Sequence, residues 1–205
     1  TPCGTLFPYT TLFRSAKVNP AVEIEVSGGG SGPGIAALLK GMVDMANASR
    51  DIKPAEQEAA EKNTGEKPEE LIVGYDALAV YVHKDNPLEE ISLAQLEEIF
   101  AEGGTTTKWS DLGVTIPGVS DDTIVRVSRQ SSSGTYEFFR THALHKKDFK
   151  LGSRDLNGSK EVVELIGHTK TAIGYSGMGY ATDEVKMLKI RVEKGGTAYP
   201  PTVEN

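Results

Sequence analysis

Two glycine- and serine-rich stretches constrain this chain more than anything else in it: Ser27-Gly28-Gly29-Gly30-Ser31-Gly32-Pro33-Gly34 and Arg129-Gln130-Ser131-Ser132-Ser133-Gly134-Thr135. Each follows a run that reads as a β-strand and opens a run that reads as a helix. Residues 22–26 alternate apolar and polar before the first, and residues 124–127 precede the second. Strand, glycine loop and helix, repeated, restrict the chain to an α/β architecture. They also set two helix N-termini inside loops, where backbone N–H groups have no intrahelical partner and the dipole favours negative charge. With Arg129 ending the second strand, the pattern points to an oxyanion held between two lobes.

The rest of the chain fits the same class. Ile35, Leu38, Leu39 and Met42 recur at helical spacing in a run that slows at Gly41, and residues 43–48 read as a second short strand. Pro54 suits the first position of a polar helix over residues 55–62, and residues 63–68 form a loop. Residues 71–83 are long and apolar, with β-branched and aromatic side chains, and predict a buried strand that crosses between lobes. Ser92 and Gln95 make a capping box before the face Leu93, Leu96, Ile99 and Phe100, and Gly103-Gly104 stops that helix. Trp109 predicts an inward-packed turn, and the helix after the second loop turns Tyr136, Phe139 and Leu144 inward. Residues 159–166 read as a helix, 171–175 and 185–190 as strands, and Tyr199-Pro200-Pro201 as an extended loop. Alternating strands and helices predict mainly parallel sheets.

Composition narrows the function. At 205 residues and 38% hydrophobic, the chain is long enough for one or two modest cores, and no run is long and apolar enough to cross a bilayer. The single cysteine, Cys3, excludes an internal disulfide. A net charge of −7 without a basic stripe predicts no nucleic-acid partner. An acidic chain that holds an anion must do so with local dipoles and a nearby cation, because its overall field is repulsive.

In the first loop no Gly-Lys-Ser/Thr follows the glycines, so it is no Walker loop. Ser31 either donates its hydroxyl to an anion, with Gly32 and its neighbours presenting amides, or simply caps the helix. In the second loop Ser133, Gly134 and Thr135 offer hydroxyls and amides at a helix start. The guanidinium of Arg129 matches a tetrahedral oxyanion with a bidentate fork, the alternative being a surface ion pair. Ser49 supplies another hydroxyl near the same cleft, and Arg50 either joins it or pairs with Asp51 or Asp76.

Four stretches together carry a family likeness: SGGGSGPGIAALLKGMVDMANASR, YDALAVYVHKDNP, the IF…KWSDLG segment, and SRQSSSGTYEFF followed by TAIGYSGMGYA. Over residues 19–190 the chain resembles the PstS-like phosphate-binding proteins of bacterial ABC transporters. The resemblance implies an α/β, class II periplasmic-binding-protein-like fold of two lobes with the first lobe incomplete. It implies a first lobe over residues 16–82, a second over 83–178, and a return to the first over 179–205, with hinges in residues 79–84 and 175–180. It further implies a receptor, not an enzyme, that closes on inorganic phosphate and delivers it to ABC transporter permease subunits. The receptor is expected to be a monomer without metal or cofactor, at the periplasmic or extracellular face of the membrane. By matched position Ser31, Gly32, Ser49, Arg129, Ser133, Gly134 and Thr135 are its phosphate ligands. Ser49 stands where some members carry an aspartate that accepts the proton of hydrogen phosphate.

The string TPCGTLFPYTTLFRS resembles a translated sequencing-adapter scar and is expected to be foreign to the fold. It stands where the family has a strand and a further phosphate-donating loop, and the family continues beyond residue 205. A chain lacking that loop is expected to bind phosphate poorly or not at all. Sulfate, molybdate and phosphonate are the rival ligands, and a phosphate-sensing surface protein is the rival role. A hydrolase would need Ser131 or Ser133 as nucleophile with His142 or His145 as base, yet no Gly-x-Ser-x-Gly elbow surrounds the serines.

Overall fold

The computed structural model describes residues 17–193 and 195–202, so the expectation for residues 1–15 lies outside the described residues. The chain divides into two compact units. One holds residues 17–76 together with Ser132–Gly134, and the other runs over Ala77–Ser131 and from Thr135 onward.

The larger unit is built on a five-stranded sheet. Its strands are β1 (Leu78–His83), β3 (Val125–Arg129), β4 (Arg154–Leu156), β5 (Ala172–Gly177) and β6 (Val185–Met187), in the order β4-β3-β5-β1-β6. Between β1 and β3 lie β2 (Glu90–Ser92), a helix over Leu93–Phe100 that becomes α3 in chain order, and a 3₁₀ turn at Trp109–Leu112. Two more helices cross over the sheet, α4 (Gly134–His142) after β3 and α5 (Ser159–Gly167) after β4. β2 joins β7 (Lys189–Arg191) and β8 (Ala198–Tyr199) in a second, three-stranded sheet.

Side-chain alternation along β1 sends Val80 and Val82 to one face and Ala79 and Tyr81 to the other. Val80 and Val82 share a core with Leu96, Ile99, Phe100, Trp109, Phe139 and Tyr175. Ala79 and Tyr81 pack with Val162, Val163 and Ile166 of α5. Trp109 is inward as expected, its indole N–H donating to the Thr171 carbonyl at 2.9 Å. The capping box forms too, with the Gln95 amide donating to Ser92 Oγ at 3.2 Å.

The smaller unit contains α1 (Ser31–Leu39) and α2 (Pro54–Thr64), which pack together with Ile35 and Ala60 as their buried apolar residues. α2 begins at Pro54 and ends on Gly65 in the left-handed conformation (φ 81°), the proline start its sequence predicts followed by a glycine stop.

Several strand expectations are corrected. Residues 22–26 and 43–48 carry no strand, and Val22, Val26 and Met45 are exposed. Of the strand predicted over residues 71–83, only Leu78–His83 forms, while Leu71, Ile72, Val73 and Tyr75 are exposed. Alternation makes a segment ready for a sheet, but a strand exists only where a neighbour completes its ladder. β1 has such neighbours on both sides, β5 and β6. The run 185–190 forms two strands, because Leu188, fully buried, donates its N–H to the Val80 carbonyl and the chain changes sheet there. Tyr199, expected in a loop, pairs with Ile190.

The α/β class is the class found, but the sheets are mixed and not mainly parallel. β3–β4, β3–β5 and β2–β7 are parallel, whereas β1–β5, β1–β6 and β7–β8 are antiparallel. Crossover helices α4 and α5 hold β3, β4 and β5 parallel. No helix directly links β1 to β5, so nothing imposes that direction on it.

Candidate functional site

The smaller unit gathers five of the expected ligands: Ser31, Gly32, Ser49, Ser133 and Gly134. Gly30 precedes α1 at φ 95° and offers no side chain to cap it, so Ser31 is the first helical residue and not the cap. Its hydroxyl is buried and turns sideways instead. Ser31 Oγ accepts the Ser49 backbone N–H at 3.1 Å and lies 3.3 Å from Ser49 Oγ. The Gly32 amide donates to the Ser132 carbonyl at 3.0 Å, which ties the first glycine loop to the second. Ser133 and Gly134 follow, both buried. A Cβ on Gly134 would stand 2.5 Å from Ser49 Oγ and 2.6 Å from Ser31 Oγ. With no Cβ at residue 134 the start of α4 comes close to both hydroxyls without displacing either, so three separate stretches of sequence bring their polar groups to one spot.

Arg129 and Thr135 belong to the larger unit, and the register of the sheet sets the surroundings of Arg129. It pairs with Leu156 across β3–β4, which brings the turn after β4 against its side chain. Arg129 donates to the Asn157 carbonyl from Nη2 at 2.7 Å, to Ser159 Oγ from Nη1 at 2.8 Å, and to Thr135 Oγ1 at 3.5 Å. Its Nε is buried without a partner. Burial lowers the guanidinium pKa from its usual value, but a guanidinium remains a cation at neutral pH. Beside it, the Tyr175 hydroxyl meets Ser128 Oγ at 2.7 Å, and the Tyr175 ring stacks on Phe139 of α4 at 3.9 Å. Burial pushes the Tyr175 phenol up, so it stays protonated. One aromatic pair thus supports both the end of β3 and the body of α4.

A family model for the PBP superfamily domain matches residues 5–205. The chain belongs to the PBP superfamily. Among the relatives of this PBP-superfamily chain is the phosphate-binding protein PstS of Pseudomonas aeruginosa, 33% identical over 92% of the chain and 60% of PstS. Protein SphX of Synechococcus elongatus is 34% identical over 98% of the chain and 60% of SphX. The chain therefore spans 60% of the length of these relatives. Among solved structures, a candidate phosphate ABC transporter substrate-binding protein of Clostridium perfringens with bound phosphate superposes with a TM-score of 0.74 at 29% identity. That match covers 89% of this chain and 70% of the other. The ABC-type phosphate transport receptor of Vibrio cholerae, at 24% identity and a TM-score of 0.70, shares the fold over 97% of this chain and 75% of its own.

Arg50 has a carboxylate partner in Glu56. It makes a two-pronged pair with Glu56 at 2.8 and 2.9 Å and donates to the Asp51 carbonyl at 2.8 Å, so it holds the start of α2. The histidines weighed as a base have neighbours of their own. His145 Nδ1 lies 2.6 Å from Glu97, and the His142 ring lies 4.3 Å from that of Phe138. The Asn157 carbonyl and the Ser159 hydroxyl escape a sequence reading. Asn157-Gly158-Ser159 carries only a helix-start signal, and its nearness to Arg129 follows from strand register.

Proposed function

We propose that this chain is the ligand-binding part of an extracytoplasmic solute-binding protein that captures inorganic phosphate and delivers it to an ABC transporter. The observation that carries the reading is the Gly134 contact, which gathers the Ser31 and Ser49 hydroxyls at the start of α4. Hydroxyls and helix-start amides are donors, which is what a bound oxyanion requires. In this reading Arg129 supplies the countercharge, Thr135 a further hydroxyl, and Ser133 an additional donor.

The lobe division into residues 16–82, 83–178 and 179–205 belongs to this proposal, together with its hinges. So do a monomeric state, a permease partner and a place at the outer face of the membrane. Phosphate named in the relatives supports the choice of ligand. Calorimetric titration of phosphate into the chain and into Arg129→Ala tests it. Removing the countercharge of a buried dianion is expected to weaken binding by about 3–5 kcal/mol. Measurable and equal affinity of the two proteins rejects the reading.

A second reading, a receptor for a related oxyanion, is favoured by Ser49. The Ser31–Ser49 pair presents hydroxyls and no carboxylate to accept the proton of hydrogen phosphate. A thermal-shift panel separates the two. Stabilisation by phosphate well above that by sulfate or molybdate at equal ionic strength supports the phosphate reading, because at a given concentration the tighter ligand stabilises more.

A further inference from the structure

Two arginines of this chain are held in opposite ways. Arg50 is met by a carboxylate, Glu56, through both terminal nitrogens. Arg129 is met by a hydroxyl, Ser159 Oγ at 2.8 Å, and a carbonyl, that of Asn157 at 2.7 Å. Among the described residues no carboxylate lies within ion-pair distance of it. Glu161, the carboxylate whose charge reaches this guanidinium, acts on it only at a distance. Glu161 is itself engaged, accepting the Gly158 N–H at 2.8 Å. Ser159 is held from behind, its carbonyl accepting from Ser176 Oγ at 3.3 Å on the fully buried strand β5.

We propose that Ser159 and the Asn157 carbonyl form a charge-neutral clamp, which fixes the Arg129 guanidinium while leaving its positive charge available to the anion. Ser159 is then a positioning residue. A carboxylate in its place would hold the guanidinium more tightly but would cancel the charge that the anion needs. The inference rests on the phosphate reading of Arg129 given above.

The test titrates inorganic phosphate into the parent chain, Ser159→Ala, Ser159→Thr, Ser159→Asp and Arg129→Ala, and records each thermal midpoint without phosphate. Ser159→Ala is expected to weaken binding about 10-fold, the scale of one hydrogen bond to a charged group, and Ser159→Thr to restore most of it. Ser159→Asp is expected to weaken binding further, about 100-fold, while its phosphate-free midpoint equals or exceeds that of Ser159→Ala. A purely structural role would move affinity and midpoint together. If Ser159→Asp binds phosphate as tightly as Ser159→Ala or better while Arg129→Ala loses binding, the clamp is overturned and the function stands. If the parent binds phosphate and Arg129→Ala binds it equally, the function fails and the clamp with it.

Discussion

Gly134 and Arg129 contribute opposite things, one an absence of atoms and the other a charge. A glycine inside a helix is ordinarily a weakness, where alanine gains about 0.5–1 kcal/mol, and at a helix start such as Gly134 the gain is at most that. At Gly134 the sign reverses, because the added methyl would sit 2.5 and 2.6 Å from two hydroxyl oxygens. Forcing such a contact costs about 1–3 kcal/mol, which outweighs the helix gain. Gly134→Ala is therefore expected to lower stability in urea denaturation and to abolish phosphate binding in calorimetry. Unchanged values for both would show that Ser31 and Ser49 yield freely. The sequence marks Gly134 as part of a loop, but the two oxygens it must avoid belong to positions 31 and 49, and their nearness exists only once the chain is folded.

At the scale of elements, α2 shows how a polar helix of the smaller unit is secured. Its proline start is legible in the sequence, whereas the role of Glu56 is not. Glu56 accepts the Lys53 N–H at 2.9 Å and the Arg50 guanidinium, and the Arg50 hydrogen bond is the main cause holding its carboxyl below the usual range. The unfolded chain titrates this carboxyl near about 4.3 and the folded chain lower, so the unfolded state binds more protons between the two values. Its contribution is complete above the unfolded value and is lost as pH falls through the folded one. Glu56→Gln is expected to flatten that part of the stability–pH curve measured by circular dichroism. A variant curve parallel to the parent's between about pH 5 and pH 3, the window around the unfolded value, would remove Glu56 from the account.

Across the whole molecule, the two units are unequally built. The buried apolar residues of the described chain lie almost entirely in the larger unit, and Ile35 and Ala60 are those of the smaller. Hydrophobic burial is the main favourable term in folding, so the smaller unit is expected to unfold first and the two-state description to fail. Trp109, the single tryptophan of the chain, is fully buried in the larger unit and reports on it alone. In a urea titration, helical circular dichroism is expected to begin falling before tryptophan fluorescence changes. Coincident curves would show one cooperative unit.

What can be read from residues in order is local: capping at Ser92 and Pro54, glycine loops that release backbone amides, and the face Leu96, Ile99 and Phe100 that seeks a core. These depend on neighbours within a few positions, and they lead to the α/β class and to the candidate ligands. Folding alone decided which extended segments became strands, since ladder hydrogen bonds come from distant partners. It also decided that Asn157 and Ser159 meet Arg129, because the pairing of Arg129 with Leu156 places that turn there. Contact between remote residues is a property of register and packing, and no local pattern encodes it.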